Sequence, residues 1–436
     1  MRGLRSRDII ADSKTYRPGC ALTNLRRLDP GSYTTVCSTY EPGQLGDFRL
    51  RLDSDAPVAA RRLANEAFTH FATMKVTVYP TYSWRNPLHW PLWAKLALST
   101  SIILIAIVIG VAVGVTQAHK ANAYPDYSYL QYSLQDAYQG ENFFDNFDYF
   151  TEPDPTYGFV RYVSADTASS SKYNLTYASK YASVLKVDTT ERNASQGRMS
   201  VRLSSKRTYD SGLFVFDITH SPYGCSLWPS IWLVDTSHWP VYGEIDVLEA
   251  VNTGNTGNQM TLHTNQGCEM KVKRNATGRV LTTNCLNSTG DNAGCGVKGQ
   301  EASYGKAFND AGGGIYAMEL RAAGIRVWMF PRSAIPADLA PLATGGAANT
   351  SPDPASWPTP LADFPSTKCD VSTHFRNQSI IANIDLCGSW AGSDRVYSQQ
   401  YGCPGKCEDY VATNASAFDT AYWEWKGWWV FGAPGA

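Results

Sequence analysis

The chain has 436 residues with 38 Lys and Arg against 39 Asp and Glu, a formal net charge of −1, so no global basic field points to nucleic acid. That length accommodates two or three ordinary domains, or one large β domain with extensions. Its 13 Trp and 25 Tyr, mostly beyond residue 120, suit either a large core or a sugar-binding cleft, where flat ring faces stack on pyranose C–H surfaces.

Residues 1–95 hold fourteen Lys and Arg against eight Asp and Glu, scattered with Pro, Ser and Asp and with no sustained apolar period. This composition predicts a mostly disordered tail. Leu96–Val115 follows, LALSTSIILIAIVIGVAVGV, twenty residues without a formal charge. At about 1.5 Å per residue the segment spans roughly 30 Å, the hydrocarbon thickness of a bilayer. It starts too far from Met1 and runs too long for a cleaved signal peptide. Arg85 and Lys95 flank it on one side and only Lys120 on the other, which places residues 1–95 in the cytosol. Asn174, Asn193, Asn275, Asn287, Asn349, Asn377 and Asn414 each open an Asn-x-Ser/Thr triplet, and none precedes the span. The expectation is a single-pass type II protein, its C-terminal part lumenal or extracellular.

The cysteines agree with that topology. Cys225, Cys268, Cys285, Cys295, Cys369, Cys387, Cys403 and Cys407 lie beyond the span and suit four bridges in an oxidising compartment, although eight cysteines permit many connectivities. Cys20 and Cys37 would be free cytosolic thiols. Residues 116–140, rich in Tyr, Gln and Asp, read as a short stalk. From residue 141 to the C-terminus the texture is that of one all-β domain. Candidate strands are Met199–Ser204, Gly212–Ile218, Ile231–Val234, Glu244–Glu249, Gln259–Thr264, Gly314–Arg321, Ile325–Phe330, Ser379–Leu386 and Tyr422–Phe431, punctuated by Gly, Pro, Asn and Ser. The pattern suits a sandwich of two antiparallel sheets. Thr344–Pro360, rich in Gly, Ala and Pro, has the character of a functional rim loop.

The informative stretch is WPSIWLVDTSHWPVYGEIDVLEA, residues 228–250. Glu244, Asp246 and Glu249 interrupt an apolar run. Strict period two would put Glu249 on the opposite face from Glu244 and Asp246. One β-bulge near Val247–Leu248 repairs this and gathers all three acids on one face. Cleaving a glycosidic bond needs a carboxylate and a carboxylic acid, about 5–5.5 Å apart in retaining enzymes. Backbones spaced as i and i+4 lie about 13 Å apart, so a curved sheet and long side chains must close the gap. Asp246 between the two would raise the pKa of whichever Glu must stay protonated.

GEIDVLE resembles the E-x-D-x-x-E signature of glycoside hydrolase family sixteen in its bulged, laminarinase-like form. WPSIWLVD before it, and NQMTLHT, VWMFPRSAIP, NIDLCGSWAG and AYWEW after it, are similar to words of fungal members. The resemblance covers residue 141 to the C-terminus. It implies a concanavalin-like β-jelly-roll sandwich with a glucan cleft, Glu244 as nucleophile, Glu249 as general acid/base and Asp246 orienting them. It also implies that His263 stands beside the acids on the neighbouring strand, and that Trp232, Trp239 and Trp390 line the cleft with Arg202 near the sugars. Sheet or core packing is the competing reading for the His and each Trp, and an ion pair for Arg202. The implied activity is retaining endo-hydrolysis of β-1,3 or mixed β-1,3/1,4-glucan. The alternatives are a wall transglycosylase or β-1,6-glucan assembly factor using the same site, and a non-catalytic glucan-binding module. The expected partners are β-glucan and, through residues 96–115, a bilayer, with a monomeric protein and no metal or cofactor. No Walker loop, HExxH or GxSxG elbow offers a competing chemistry.

Overall fold

The computed structural model describes residues 31–38, 58–62, 71–78, 90–290, 292–344 and 350–435. Two compact units divide the chain, Met1–Thr116 and Gln117–Ala436. In the first, β1 (Gly31–Ser38), β2 (Val58–Arg62) and β3 (Phe71–Val78) pair antiparallel in the order β1-β3-β2. The runs SYTTVCS and ATMKVTV are dense in β-branched residues, which favour a pleated backbone over the disorder expected for the tail. The rest of that expectation lies outside the described residues. Helix α1 (Leu92–Ala121) outruns the predicted span at both ends, since only Pro91 interrupts the helical run on its N-terminal side. Within it, Leu92–Val111 is long and apolar enough to cross a membrane, and its side chains are almost all unburied.

In the second unit two eight-stranded sheets dominate, as the alternating pattern requires. The first orders β15 (Arg279–Val280), β16 (Cys295–Lys298), β14 (Gln259–His263), β13 (Glu244–Glu249), β12 (Leu227–Val234), β20 (Gln378–Leu386), β10 (Arg202–Tyr209) and β5 (Phe147–Tyr149). The second orders β19 (Ala362–Pro365), β18 (Gly324–Pro331), β17 (Gly314–Arg321), β11 (Gly212–His220), β21 (Tyr422–Gly432), β8 (Ser183–Lys186) and β7 (Thr176–Ala178), with β4 (Ser133–Gln139) also on β21. Within both sheets the pairing is antiparallel; the one parallel pair described joins β6 (Val160–Tyr162) to β9 (Arg198–Ser200). Ile231, Leu233, Ile245, Val247, Leu262, Ala382 and Ile384 of the first sheet share one core with Phe214, Phe216, Met318 and Val327 of the second.

The indole-rich last strand is part of that core. Trp423, Trp425 and Trp428 face inward and are fully buried. A register shift opposite Asp217 and Ile218, beside Gly427, lets the adjacent Trp429 point the other way. Trp429 joins Leu213, Val215, Trp328, Phe330 and Phe431 on the outer face of the second sheet. That apolar face needs a cover, and Tyr132, Leu339, Leu342 and Trp357 supply it. Trp357 meets Trp328 and Phe330 edge-on at 5.2 Å from each. The Thr344–Pro360 loop, expected at the cleft rim, therefore covers the opposite side of the sandwich; residues 345–349 lie outside the described set.

The stalk expectation also changes. Tyr124 and Tyr127 hydroxyls donate to the two oxygens of buried Asp363 at 2.9 and 3.3 Å, and Tyr132 donates to Glu319 Oε1 at 3.0 Å. Arg326 lies 4.1 Å over the Tyr127 ring. A tyrosine buries an apolar ring and still satisfies a polar tip, so a Tyr-rich segment can dock where composition suggested a spacer. Four disulfides pair all eight cysteines of this unit: Cys225–Cys403, Cys268–Cys369, Cys285–Cys295 and Cys387–Cys407. Asn174, Asn193, Asn275, Asn377 and Asn414 are exposed, Asn287 is half-buried, and Asn349 lies outside the described residues.

Candidate active site

The register of β13 against β12 pairs Ser230 with Glu249, Ile231 with Leu248, and then Trp232 with Asp246. Val247 has no partner, so the bulge that the acid spacing required is present. Its freed backbone groups are satisfied by one side chain. Asn258 donates from Nδ2 to the Val247 carbonyl and accepts from the Glu249 N–H, each at 2.8 Å. The fully buried Asn258 is held in turn by its own N–H on Ser303 Oγ. Beyond the bulge Glu249 rejoins the face that carries Glu244 and Asp246, while Ile245, Val247 and Leu248 are buried.

Across the ladder, Glu244 faces His263 and Asp246 faces Thr261. His263 Nε2 lies 3.3 Å from Asp246 Oδ2 and 4.0 Å from Glu244 Oε1, with Nδ1 2.9 Å from Asn292 Oδ1. Burial opposes a charge on His263, but Asp246, Glu244 and Glu249 overcome it and hold the ring up to about 9, an imidazolium near neutrality. Glu244, 18% exposed at its side chain, is pushed up to about 7 by burial and by the Asp246 carboxylate. His263, the Trp239 side-chain hydrogen bond and Arg202 pull it back. Glu249 is pushed further, to about 8, by burial and Asp246, against the Trp228 indole N–H that donates to its Oε1 at 2.8 Å. Both glutamates are thus raised by the same two causes, burial and Asp246.

The remaining predicted residues surround these. Trp232, half-buried, donates from Nε1 to Asn383 Oδ1 at 2.8 Å. The Arg202 guanidinium is sandwiched between the Trp232 and Phe150 rings at 4.9 and 4.6 Å. That arrangement makes Arg202 a support for Trp232 rather than half of an ion pair. Trp239, 41% exposed, projects from the loop joining β12 to β13. Trp390, half-buried, meets Trp228 edge-on at 5.6 Å, and Trp228 ties to Glu249. None of these four tryptophans belongs to the main core, unlike Trp423, Trp425 and Trp428 of β21.

Among the described residues, Glu244, Asp246 and His263 are the one grouping with metal-type donors close together, all within 4.8 Å. A cation there would need a neutral imidazole, whereas His263 already spends both ring nitrogens on Asp246 and Asn292. The arrangement instead fits acid/base chemistry.

The family model for the XgeA-like catalytic domain of glycoside hydrolase family 16 (GH16) matches residues 147–431. The chain belongs to GH16. A Schizosaccharomyces pombe protein named probable glycosidase is 46% identical over 307 residues, 70% of each chain. The endo-1,3(4)-β-glucanases of Arthroderma benhamiae and Emericella nidulans are 40% and 37% identical over 67% of this chain, which spans 63% and 46% of theirs. Laminarinase 16A of Phanerochaete chrysosporium, solved with 6-O-glucosyl-laminaritriose in donor and acceptor sites, is 41% identical with a TM-score of 0.65, covering 69% of this chain and all of its own. An elongating GH16 β-1,3-glucosyltransferase is 38% identical with a TM-score of 0.62, over 69% of this chain and all of its own.

Several residues of this GH16 site escape sequence reasoning. Asn258 and Asn292 sit in polar loops where an Asn signals only a turn. Lys298 on β16 is pushed down to about 8 by burial, with Glu249 opposing that fall. Asn383 and Asp385 are buried polar residues of β20, and their alternation in NIDL was the available clue.

Proposed function

We propose that this protein is a retaining endo-β-glucanase, cleaving β-1,3 or mixed β-1,3/1,4-glucan through a covalent glycosyl-enzyme. One observation carries the reading. The bulge aims two glutamates at one face beside Asp246, and burial together with that carboxylate pushes both well above the ordinary carboxylate range. Glu244 is then the nucleophile, Glu249 protonates the leaving oxygen and later activates water, and Asp246 with His263 sets their charge. Trp228, Trp232, Trp239 and Trp390 offer ring faces to glucose units. The relatives named endo-1,3(4)-β-glucanase support this substrate class.

A second reading, glucan transfer at the same site, is favoured by the 38% identity to an elongating glucosyltransferase. Both share the intermediate and differ in whether water or sugar resolves it. We further propose that helix α1 anchors the protein in a bilayer as a type II monomer with the GH16 domain lumenal or extracellular; the one-sided sequons and four disulfides support this orientation.

The test uses the purified protein on laminarin, lichenan and pustulan, following product length and anomeric configuration by NMR. Retained β configuration is expected, with shorter products for hydrolysis and longer ones for transfer. Glu244→Ala should be inactive and rescued by azide as the α-glycosyl azide. Glu249→Ala should lose roughly 10²–10⁴-fold and give the β-azide. The opposite anomers would exchange the two roles, and activity on none of the glucans would remove the substrate assignment.

A further inference from the structure

Tyr157 is 87% exposed, more than any other large hydrophobic side chain among the described residues. It also adopts φ 64°, the left-handed region, although it is neither Gly nor Asn. A conformation of this kind is unfavourable for any residue with a Cβ and persists only where neighbours over-determine it. The neighbours are visible. Asp154 Oδ2 accepts from the Thr156 N–H at 2.9 Å, the Gly158 N–H at 3.0 Å and the Thr156 hydroxyl. Asp385 Oδ2 lies 3.0 Å from the same hydroxyl. Burial and the nearby Asp154 hold the Asp385 carboxyl well above the ordinary range. Gly158 leaves no space for a side chain, because its missing Cβ would collide with Asp385.

This turn is fastened to the segment that carries Trp390. The Phe159 N–H donates to the Leu386 carbonyl at 2.7 Å and the Ser389 N–H to the Thr156 carbonyl at 2.9 Å, with Gly158 bridging Cys387. Asp385 pairs across β20 and β12 with Trp228, whose indole holds Glu249. Tyr157 is thus displayed at the Trp228–Trp390 end of the catalytic face, with its ring open to solvent.

We infer that Tyr157 is an outer platform for a glucose unit of a long β-glucan, beyond the units that reach Trp228 and Trp390. The inference rests on the glucanase reading and deepens it: the enzyme discriminates by chain length. A strained backbone presenting a bare ring gives up stability for a flat, pre-positioned surface, where a pyranose face gains from stacking without ordering a loop.

The experiment compares Tyr157→Gly and Tyr157→Trp with the parent protein on a length series of laminari-oligosaccharides. Glycine accepts φ 64° freely, so Tyr157→Gly should keep or raise the thermal midpoint. It should raise KM for the longest substrates roughly three- to tenfold, leave the shortest unchanged and preserve kcat. Tyr157→Trp should restore the long-chain KM. Equal KM at every length, or a uniform loss at all lengths, would overturn the inference, as would a lower midpoint in Tyr157→Gly. Calorimetric binding of the same series separates the two readings. If the parent binds long chains but cleaves none, the glucanase reading fails while the Tyr157 effect on binding still decides the platform.

Discussion

Glu244 and Glu249 have the same side chain on the same strand, yet the roles proposed for them require opposite protonation. Both are raised by burial and by Asp246, and their nearest other neighbours differ. Glu244 faces the His263 cation across the ladder, while Glu249 is held by the neutral Trp228 N–H. Activity needs Glu244 ionised and Glu249 protonated, so kcat/KM should fall as pH drops through the lower value, about 7, and as it rises through the upper, about 8. Asp246 raises both, and Asp246→Asn should move both limbs to lower pH. His263 lowers both, and His263→Gln should move both limbs to higher pH. Profiles of kcat/KM against pH for the two variants check the signs. Limbs that stay in place, or that move in the same direction in the two variants, would mean that the cluster does not set the protonation of the glutamates.

At the scale of the element, the bulge is the device that converts an ordinary strand into a site. Asn258→Ala would leave the Val247 carbonyl and the Glu249 N–H buried without partners, at about 1–3 kcal/mol each. If the clamp also aims Glu249, kcat should fall by more than tenfold in folded protein while KM changes little. Denaturant midpoints and steady-state kinetics on the same preparation distinguish the two effects; unchanged kcat would reduce Asn258 to a structural role. The bulge itself was legible, because Glu244, Asp246 and Glu249 cannot share a face at period two. Its clamp was not, since a buried Asn nine residues past Glu249 looks like any loop Asn. Arg202 and Trp232 were found through family words, but their mutual stacking and the Asn383 bond depend on register between β10, β20 and β12. Residue spacing within one strand carries no record of such pairing.

For the whole molecule, composition located the long apolar helix and the β domain that follows it but not where that domain begins. A drop in apolar content after Val115 suggested a spacer up to residue 140, because sequence statistics do not distinguish a Tyr that dangles from one that docks. In the structure the segment from Tyr124 to Gln139 supplies strand β4, two partners of Asp363 and the Tyr132 cover over the outer apolar face. Removing it would expose that face and strip Asp363 of both tyrosine donors. Asn275 N–H would then remain on Asp363, with Arg274 close to it. A soluble form beginning at Asn122 should therefore fold with native stability. One beginning at Glu141 should lose more than about 3 kcal/mol, the sum of several buried contacts and hydrogen bonds. Tyr124→Phe/Tyr127→Phe should fall between them, since the rings still pack while the Asp363 oxygens lose two donors. Thermal midpoints of the three forms measure this ordering. Equal midpoints for the forms starting at 122 and 141 would make the segment a tether after all, and would leave the second sheet stable with its outer face uncovered.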